Sequence, residues 1–438
     1  MQSHNRAGGI QQQGHLCLCF WIVCLLALAG LGSTDQSCDA SATLAADAPA
    51  AGAASSAQHA HVQHPQQAPG SIFIASVTLS NGGGDIIRDA LLSVVGWVDA
   101  CILLDTGIAD DTVKVARQAA GSKLLLQRLP WPGSFAEARN AALDAAAAAG
   151  AQWAVILDTD ERIRCSAAAA AAGGDAGGDQ DCSSLLPLLR DSSAAMINML
   201  HESATYHKPR IFRLPRPGFF RGRTHEWFAL DPGAAEHTLG AAAVFVELPK
   251  DEAAVAAKAA RDIQLLGLET AAAPQDQRWW YYLGDAYDIS GDCRSALKAW
   301  GSCAGLTAGW AEEGAWCMYR AAVCHSRSKE WEAALQALAR GMCRHPGLPE
   351  LPWYAGWVAY QAGRHREAVA WSHMSIALGC HKGLCMERIG FSHPPGKYEG
   401  PYDVLKWALR ALGDEPGAAA AEVEEAAALA ARNSAGAG

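Results

Sequence analysis

Two aspartates separated by a single residue follow a short apolar run in the first half of the chain. Asp158 and Asp160 come directly after residues 153–157, which read Trp-Ala-Val-Ile-Leu. At alternating positions just past a strand, both carboxylates can reach one cation or its bound waters, and hard oxygen ligands suit Mg²⁺ or Mn²⁺. Such a cation can absorb the charge that develops on a departing phosphate. The pair indicates a metal and diphosphate site, although an Asp-x-Asp sequence alone is weak evidence.

The charge of the whole chain bears on what such a site could bind. The 438 residues include 45 acidic and 35 basic side chains, for a net charge of -10, and the basic residues form no run. A nucleic-acid partner is therefore not expected. A pyrophosphate held by an acidic protein needs a cation or a local arginine cluster, which agrees with a divalent metal at the two aspartates.

Strand-like and helix-like segments alternate around these aspartates. The predicted strands cover residues 72–79, 100–104, 123–129 and 153–157, and the predicted helices between them cover residues 85–95, 110–119 and 134–149. Repeated βαβ units form a parallel sheet covered on both faces, with the ligand crevice at the carboxyl ends of the strands. Asp105 and the Asp158–Asp160 pair both fall at those ends. The low-complexity stretch 166–180 is expected to be a loop.

The chain becomes helical from residue 278 onward and contains a repeat. Trp280, Leu283, Gly284 and Tyr287 match the W-x-x-L-G-x-x-Y start of a tetratricopeptide repeat. Two further copies follow, with equivalent alanines at positions 296, 334 and 368. Stacked helix pairs leave a concave face for a partner, so residues 278–390 predict an all-α repeat domain with a possible protein partner. A connecting helix is expected at 251–277, and a helical cap with a disordered tail at 391–438.

Several segments between residues 71 and 230 share a pattern with one enzyme family. They are Val98-Asp99, Leu104-Asp-Thr-Gly107 with Asp110 and Thr112, the helix from Phe135 to Leu143, the stretch from Trp153 to Glu161, and Arg210-Ile-Phe-Arg213 leading to His225-Glu226. In this order they resemble family 2 inverting glycosyltransferases of the GT-A fold, in the branch with tetratricopeptide repeats behind the catalytic domain. The resemblance implies a Rossmann-like, mostly parallel α/β domain over residues 71–250 that transfers a sugar with inversion from a nucleotide-diphosphate donor, expected to be a UDP-sugar, to an unknown acceptor.

The resemblance also implies roles for individual residues. Asp105 would receive the nucleotide base or ribose, and Arg139 with Asn140 would line the nucleotide pocket. Asp158 and Asp160 would hold metal and diphosphate, with Asp160 also acting in catalysis. The guanidinium fork of Arg139 suits phosphate because it donates two hydrogen bonds. A salt bridge from Arg139 to a neighbouring acidic residue of its own helix is the alternative.

His225 and Glu226 would form the acceptor side of the same site. A neutral histidine can complete a metal shell, and a carboxylate can deprotonate the acceptor hydroxyl. Glu226 is favoured as this base over Asp231. The alternative is a structural histidine beside an exposed glutamate.

One departure from the family pattern motivates a second interpretation. Residues 80–82 are Ser-Asn-Gly, whereas members of the branch usually have Lys-Asn-Glu there, so a lysine and a glutamate are missing from the nucleotide end. The alternative function is therefore a catalytically impaired glycosyltransferase-like protein that acts as a repeat-based interaction scaffold. A nucleotidyltransferase on a similar sheet is a third, weaker interpretation.

The N-terminal part of the sequence predicts where in the cell the protein is found. Residues 16–32 contain no charged side chain and follow a stretch with Arg6. This pattern fits a signal anchor or a cleaved signal peptide within residues 1–32, followed by a flexible stem at 33–70 that is rich in Ala, Ser, Gln, His and Pro. The expected location is the secretory pathway, in the Golgi or ER membrane with the catalytic domain in the lumen.

Overall fold

The computed structural model describes residues 72–165, 182–203, 206–240, 242–386 and 390–435. In these residues an α/β region comes first and an all-helical region follows, as the sequence predicts. The predicted signal segment 1–32, the stem 33–70 and the low-complexity stretch 166–180 lie outside the described residues.

Within the described residues, nine strands form the main sheet of the α/β region. They are β1 (Ile74–Ser80), β2 (Ala100–Asp105), β3 (Leu124–Arg128), β4 (Trp153–Ile156), β5 (Glu161–Cys165), β6 (Met196–His201), β7 (His207–Arg213), β10 (Glu236–Thr238) and β11 (Ala243–Glu247). Their order is β3-β2-β1-β4-β7-β6-β11-β5, with β10 paired to β6. A separate hairpin pairs β8 (Gly218–Arg221) with β9 (Trp227–Leu230).

Strands β1 to β4 form the parallel half of this sheet. Three helices connect them: α1 (Ile86–Val95), α2 (Thr112–Ala120) and α3 (Phe135–Ala148). Alternate residues of β2 belong to two separate cores: Leu103 lies in the core that contains Leu91 of α1, and Leu104 in the core that contains Leu143 of α3. Both faces of the sheet are covered, which explains why these strands are almost continuously apolar in sequence.

The other half of the sheet is mixed and was not predicted. Strand β7 runs antiparallel to β4 and β6, while β11 runs parallel to β6 and antiparallel to β5. A short helix, α4 (Leu185–Asp191), precedes β6. Charged residues interrupt β5 and β7, as in the His-Lys-Pro-Arg-Ile-Phe-Arg sequence of β7, and β6 and β11 are short apolar runs, so no period-2 pattern marks these strands.

Helices in antiparallel pairs build the C-terminal region. After α5 (Glu252–Ala272), they are α6 (Gln277–Ile289), α7 (Cys293–Gly305), α8 (Ala311–Arg327), α9 (Trp331–Arg344), α10 (Glu350–Gln361), α11 (His365–Leu378), the short α12 (Pro394–Lys397), α13 (Gly400–Ala411) and α14 (Glu415–Ala435). Ala296, Ala334 and Ala368 are fully buried in α7, α9 and α11, the second helices of successive pairs. The region is compatible with a tetratricopeptide-like domain, and a fourth pair, α13 with α14, follows the three that the sequence predicts.

Disulfides link two of these pairs. Cys293–Cys324 and Cys303–Cys317 both join α7 to α8, and Cys380–Cys385 closes a short loop after α11. A fourth disulfide, Cys165–Cys182, joins the end of β5 to the segment before α4.

The two regions contact each other through the turn between β8 and β9. Thr224 donates a hydrogen bond to buried Asp262 of α5 at 3.0 Å. Arg278 of α6 donates to the carbonyl of His225 at 3.0 Å. Gly222 has a φ of +94° and lies so close to Trp279 that a Cβ would come within 2.4 Å of the indole ring. Only glycine fits this position, so the turn is held directly against the first repeat.

The expected membrane location is contradicted. No helix within the ranges that the structure describes, from residue 72 to residue 435, is long and apolar enough to cross a membrane. We therefore withdraw the expectation of a membrane-anchored Golgi or ER protein with a lumenal catalytic domain. Residues 16–32, on which that expectation depended, lie outside the described residues.

Candidate functional site

Arg139 lies at the centre of an acidic cluster at the carboxyl end of the parallel strands. Its Nη1 and Nη2 atoms donate to the two carboxylate oxygens of Asp158 at 3.0 and 2.9 Å, and its Nε donates to Oε1 of Glu226 at 2.6 Å. The Arg139 side chain is 11% exposed. Three segments that are distant in sequence therefore meet at the guanidinium of Arg139. The acidic residues of α3, the helix that carries Arg139, do not pair with it, and Asp144 pairs with Arg216 instead.

A second ion pair lies deeper in the same cluster. Arg210 of β7 donates to Glu161 of β5, and both side chains are buried. The Arg210 guanidinium is also 3.9 Å from Asp158, and Lys208 lies 3.7 Å from Glu161. The sequence marked Arg210 and Arg213 as part of the family pattern without showing which arginine turns inward.

These charges set the protonation states of the two carboxyls. Burial favours the neutral form of Asp158, but the positive charges of Arg139 and Arg210 outweigh it and hold the pKa of Asp158 well below its usual range. For Glu161 burial has the larger effect and raises the pKa above its usual value, with Arg210 opposing the shift. Asp158 therefore stays ionised at neutral pH.

Asp160 has a different partner from Asp158. Its Oδ2 lies 2.5 Å from Nζ of Lys250, just before α5. Burial lowers the pKa of Lys250, but the hydrogen bond and charge of Asp160 outweigh it and raise the pKa. Lys250 is 90 residues from Asp160 in sequence, and no motif pointed to it. The two aspartates are thus neutralised separately, by an arginine and by a lysine.

His225 is turned towards the helical region. Its ring stacks on Tyr282 of α6 with centroids 4.0 Å apart, and its Nε2 lies 3.5 Å from buried Asp262 of α5. The three predicted metal ligands, Asp158, Asp160 and His225, therefore have separate partners. Among the residues that the structure describes, no three His, Cys, Asp or Glu side chains are grouped so that they could hold a metal ion.

The remaining predicted residues of the nucleotide pocket bind backbone groups. Asp105 accepts hydrogen bonds from the N–H groups of Gly107 and Ile108 at 2.9 and 2.7 Å and so shapes the turn after β2. Asn140 donates to and accepts from the backbone of Phe220, at 3.0 and 2.8 Å, which fixes α3 to β8.

The glycine loop 82–84, which begins at the last residue of the Ser-Asn-Gly stretch, is closed by an aspartate. The N–H groups of Gly83 and Gly84 donate to Oδ2 of Asp110 at 2.8 and 3.2 Å. Hydrogen bonds from Thr112, and then from the glycine loop, lower the pKa of Asp110 to about 2. The loop's backbone donors are thus already paired with a carboxylate.

A second candidate site lies on the first helices of the repeats. We call the following residues the aromatic face: Tyr281 of α6, Trp310 at the start of α8, Trp316 and Tyr319 of α8, and Trp353 and Tyr354 of α10. Ring centroids lie 4.7 Å apart for Trp316–Tyr319, 5.4 Å for Tyr319–Tyr354 and 6.0 Å for Trp353–Tyr354. The first helices of the stacked repeats therefore carry a continuous row of aromatic rings, of which Tyr281, Trp316 and Tyr319 are buried. The sequence predicted only a face for a partner here.

A cavity of about 620 Å³ adjoins the aromatic face beside the starts of α6 and α8. Gln277, Arg278, Trp310 and Glu313 are among its lining residues. Glu313 is 5% exposed, and burial raises the pKa of its carboxyl to about 7, with Arg278 opposing the shift. A carboxyl that titrates near neutral pH therefore borders the aromatic face.

Glu313 should make the stability of the helical region depend on pH. Because its folded-state pKa lies above the usual value, its contribution is present below about pH 4.5 and is lost as the pH rises through 7. Between pH 5 and pH 8 we expect wild type to lose up to about 3 kcal/mol relative to Glu313→Gln. Urea unfolding across this range measures the difference, with exposed Glu415→Gln as the control. Parallel profiles for wild type and Glu313→Gln would contradict the assignment.

The fold and the two sites define a class: an α/β region with a buried acidic cluster, joined to a tetratricopeptide-like helical array. No family model matches the chain. A TPR repeat-containing protein of Synechococcus elongatus is 40% identical over 79 residues, which is 18% of this chain and 18% of that protein. The match thus spans less than a fifth of the relative. It supports the tetratricopeptide-like character of the helical region.

The comparison with solved structures gives weaker matches. The match to a crystal structure of MamA covers 39% of this chain and 81% of the MamA chain. The sequence identity is 18% and the TM-score is 0.31. MamA of Desulfovibrio magneticus has a TM-score of 0.30 at 13% identity and covers 40% and 90% of the two chains. BtubC of P. vanneervenii has a TM-score of 0.31 at 16% identity and covers 42% and 84%. None of these similarities bears on the GT-A glycosyltransferase assignment, which stays a prediction.

Proposed function

We propose that this protein is a repeat-based interaction protein, in which the helical array binds a segment of another protein and the α/β region is a glycosyltransferase-like domain. The observation that carries the proposal is the aromatic face. Aromatic side chains supply large contact areas at low entropic cost and dominate protein recognition. The similarity to a TPR repeat-containing protein supports the same function.

The ion pairs of the acidic cluster support an interaction function rather than catalysis. A metal and diphosphate site needs carboxylates that are free to coordinate, but both oxygens of Asp158 are taken by Arg139. Asp160 is taken by Lys250. The lysine of the family pattern is also missing before the glycine loop. These ion pairs and the missing lysine favour a structural role for Asp158 and Asp160 over a role in catalysis.

Peptide selection would test the interaction function. A random peptide library displayed on phage is panned on the whole protein, and the enriched peptides are titrated against wild type, Trp310→Ala and Trp131→Ala. Trp310 is 45% exposed on the aromatic face, and Trp131 is 40% exposed in the α/β region, so the two truncations are matched. We expect about a tenfold loss of affinity for Trp310→Ala only. Equal affinities for all three proteins would overturn the proposal.

A second candidate function is metal-dependent sugar transfer from a UDP-sugar. It is favoured by one observation: Arg139, Asp158 and Glu226, all implied by the family resemblance, meet at the carboxyl end of the parallel strands. Asp158 and Asp160 would hold Mn²⁺ or Mg²⁺, which would neutralise the departing diphosphate. Arg139 would have to release Asp158 first, and Glu226 would then be free to take the acceptor proton. Donor turnover with Mn²⁺ that Asp158→Asn abolishes would establish this function.

A further inference from the structure

The aromatic face is covered by a segment of the same chain. Residues 390–397, between α11 and α13, cross it. The ring of Phe391 lies 4.9 Å from Tyr281, 5.3 Å from Trp310 and 5.7 Å from Trp316, measured between centroids. One phenylalanine therefore fills the space between the first helices of the first two repeats.

The same segment reaches the third repeat. His393 has an extended backbone, and its ring stacks on Trp353 of α10 with centroids 5.0 Å apart. Gly396 lies so close to the same indole that a Cβ added to it would be 2.7 Å from the Trp353 ring. The segment thus runs along the aromatic face from α6 to α10.

Two buried carboxylates bind the backbone of this segment. The N–H of Phe391 donates to Glu312 at 3.0 Å, and the N–H of His393 donates to Glu350 at 3.1 Å. Both glutamates are buried, so these bonds help to compensate carboxylates removed from water. Because the donors are backbone groups two residues apart, any extended polypeptide can provide them.

We propose that residues 390–393 are a displaceable internal ligand and that the aromatic face accepts in their place an extended segment of another protein. That segment would place an aromatic side chain where Phe391 lies and would donate two alternate backbone N–H groups to Glu312 and Glu350. The inference rests on the proposed interaction function and adds the chemistry of the partner. An internal ligand competes at high effective concentration, so it lowers the apparent affinity for a partner.

A labelled peptide with the sequence of residues 390–398, Gly-Phe-Ser-His-Pro-Pro-Gly-Lys-Tyr, tests the displacement. Fluorescence anisotropy measures its binding to the full-length protein. We expect Phe391→Ala to bind it at least about tenfold more tightly than wild type, because the face is then free for a larger fraction of the time. Phe219→Ala, which truncates an exposed phenylalanine of the α/β region, should behave like wild type. Adding Glu312→Met, which removes the acceptor of the Phe391 backbone N–H, to Phe391→Ala should reverse the gain.

A second measurement requires no change to the aromatic contacts. A nitroxide attached through Ser392→Cys, at an exposed position, should become more mobile when excess unlabelled peptide is added. If library peptides bind wild type and Phe391→Ala equally and the nitroxide does not respond, the internal ligand is refuted while the interaction function stands. If neither protein binds any peptide, the interaction function itself fails.

Discussion

Replacement of Arg139 by methionine is expected to lower the free energy of unfolding of the α/β region by about 3 kcal/mol. Removing one partner of a buried ion pair leaves an uncompensated charge, which typically costs about 3–5 kcal/mol. Arg139 neutralises two carboxylates, Asp158 and Glu226, but the side chain of Asp158 is 30% exposed, so we expect the lower end of that range. Urea or guanidinium unfolding followed by circular dichroism measures the change.

The pH dependence of this effect identifies its origin. The folded-state pKa of Asp158 is depressed, so its stabilising contribution is present above its unfolded value, about 3.9, and is lost as the pH falls through the folded value. Arg139→Met removes that contribution, and the difference from wild type should therefore shrink below about pH 4. Adding Asp158→Asn to Arg139→Met should restore part of the stability. A loss that is independent of pH and unaffected by Asp158→Asn would show that Arg139 acts through packing alone.

Truncation of Trp300 to alanine should destabilise the helical region by about 3–5 kcal/mol. Trp300 of α7 is fully buried and belongs to the core of the repeats. Opposite it, Gly284 of α6 has no side chain, and a Cβ there would lie 2.3 Å from the indole nitrogen. Gly284→Ala should therefore cost about 1–3 kcal/mol through overpacking. Both changes are measured by the same unfolding experiment.

The double variant tests whether the two residues fit each other. In Gly284→Ala with Trp300→Ala, the new methyl group enters space that the indole has left, so the total loss should be clearly smaller than the sum of the single losses. The control pair is Gly284→Ala with Trp153→Ala, since Trp153 is buried in the α/β region. Strict additivity in the first pair would mean that Gly284 does not limit the packing of Trp300.

The parallel half of the sheet and the repeats were predictable because their signals are local. Each predicted strand and helix between residues 72 and 157 ends within two residues of the observed one. Continuous apolar runs mark strands that are buried on both faces, and the small residues at 284, 296, 334 and 368 mark the close contacts of helix pairs. Strands β5 to β11 were not predicted: charged residues interrupt β5 and β7, and the other strands are apolar or polar runs of three to six residues, too short for a periodicity to show.

The sequence by itself determined the order of strands and helices between residues 72 and 157, the period of the repeats, and the placement of Asp105 and Asp158 at strand ends. Only the tertiary structure decided which groups these side chains contact. Arg139 meets Asp158 across 19 residues and Glu226 across 87, and Phe391 meets Glu312 across 79. Periodicity reports which face of a segment is buried, whereas the packing of distant segments selects the partner that lies against it.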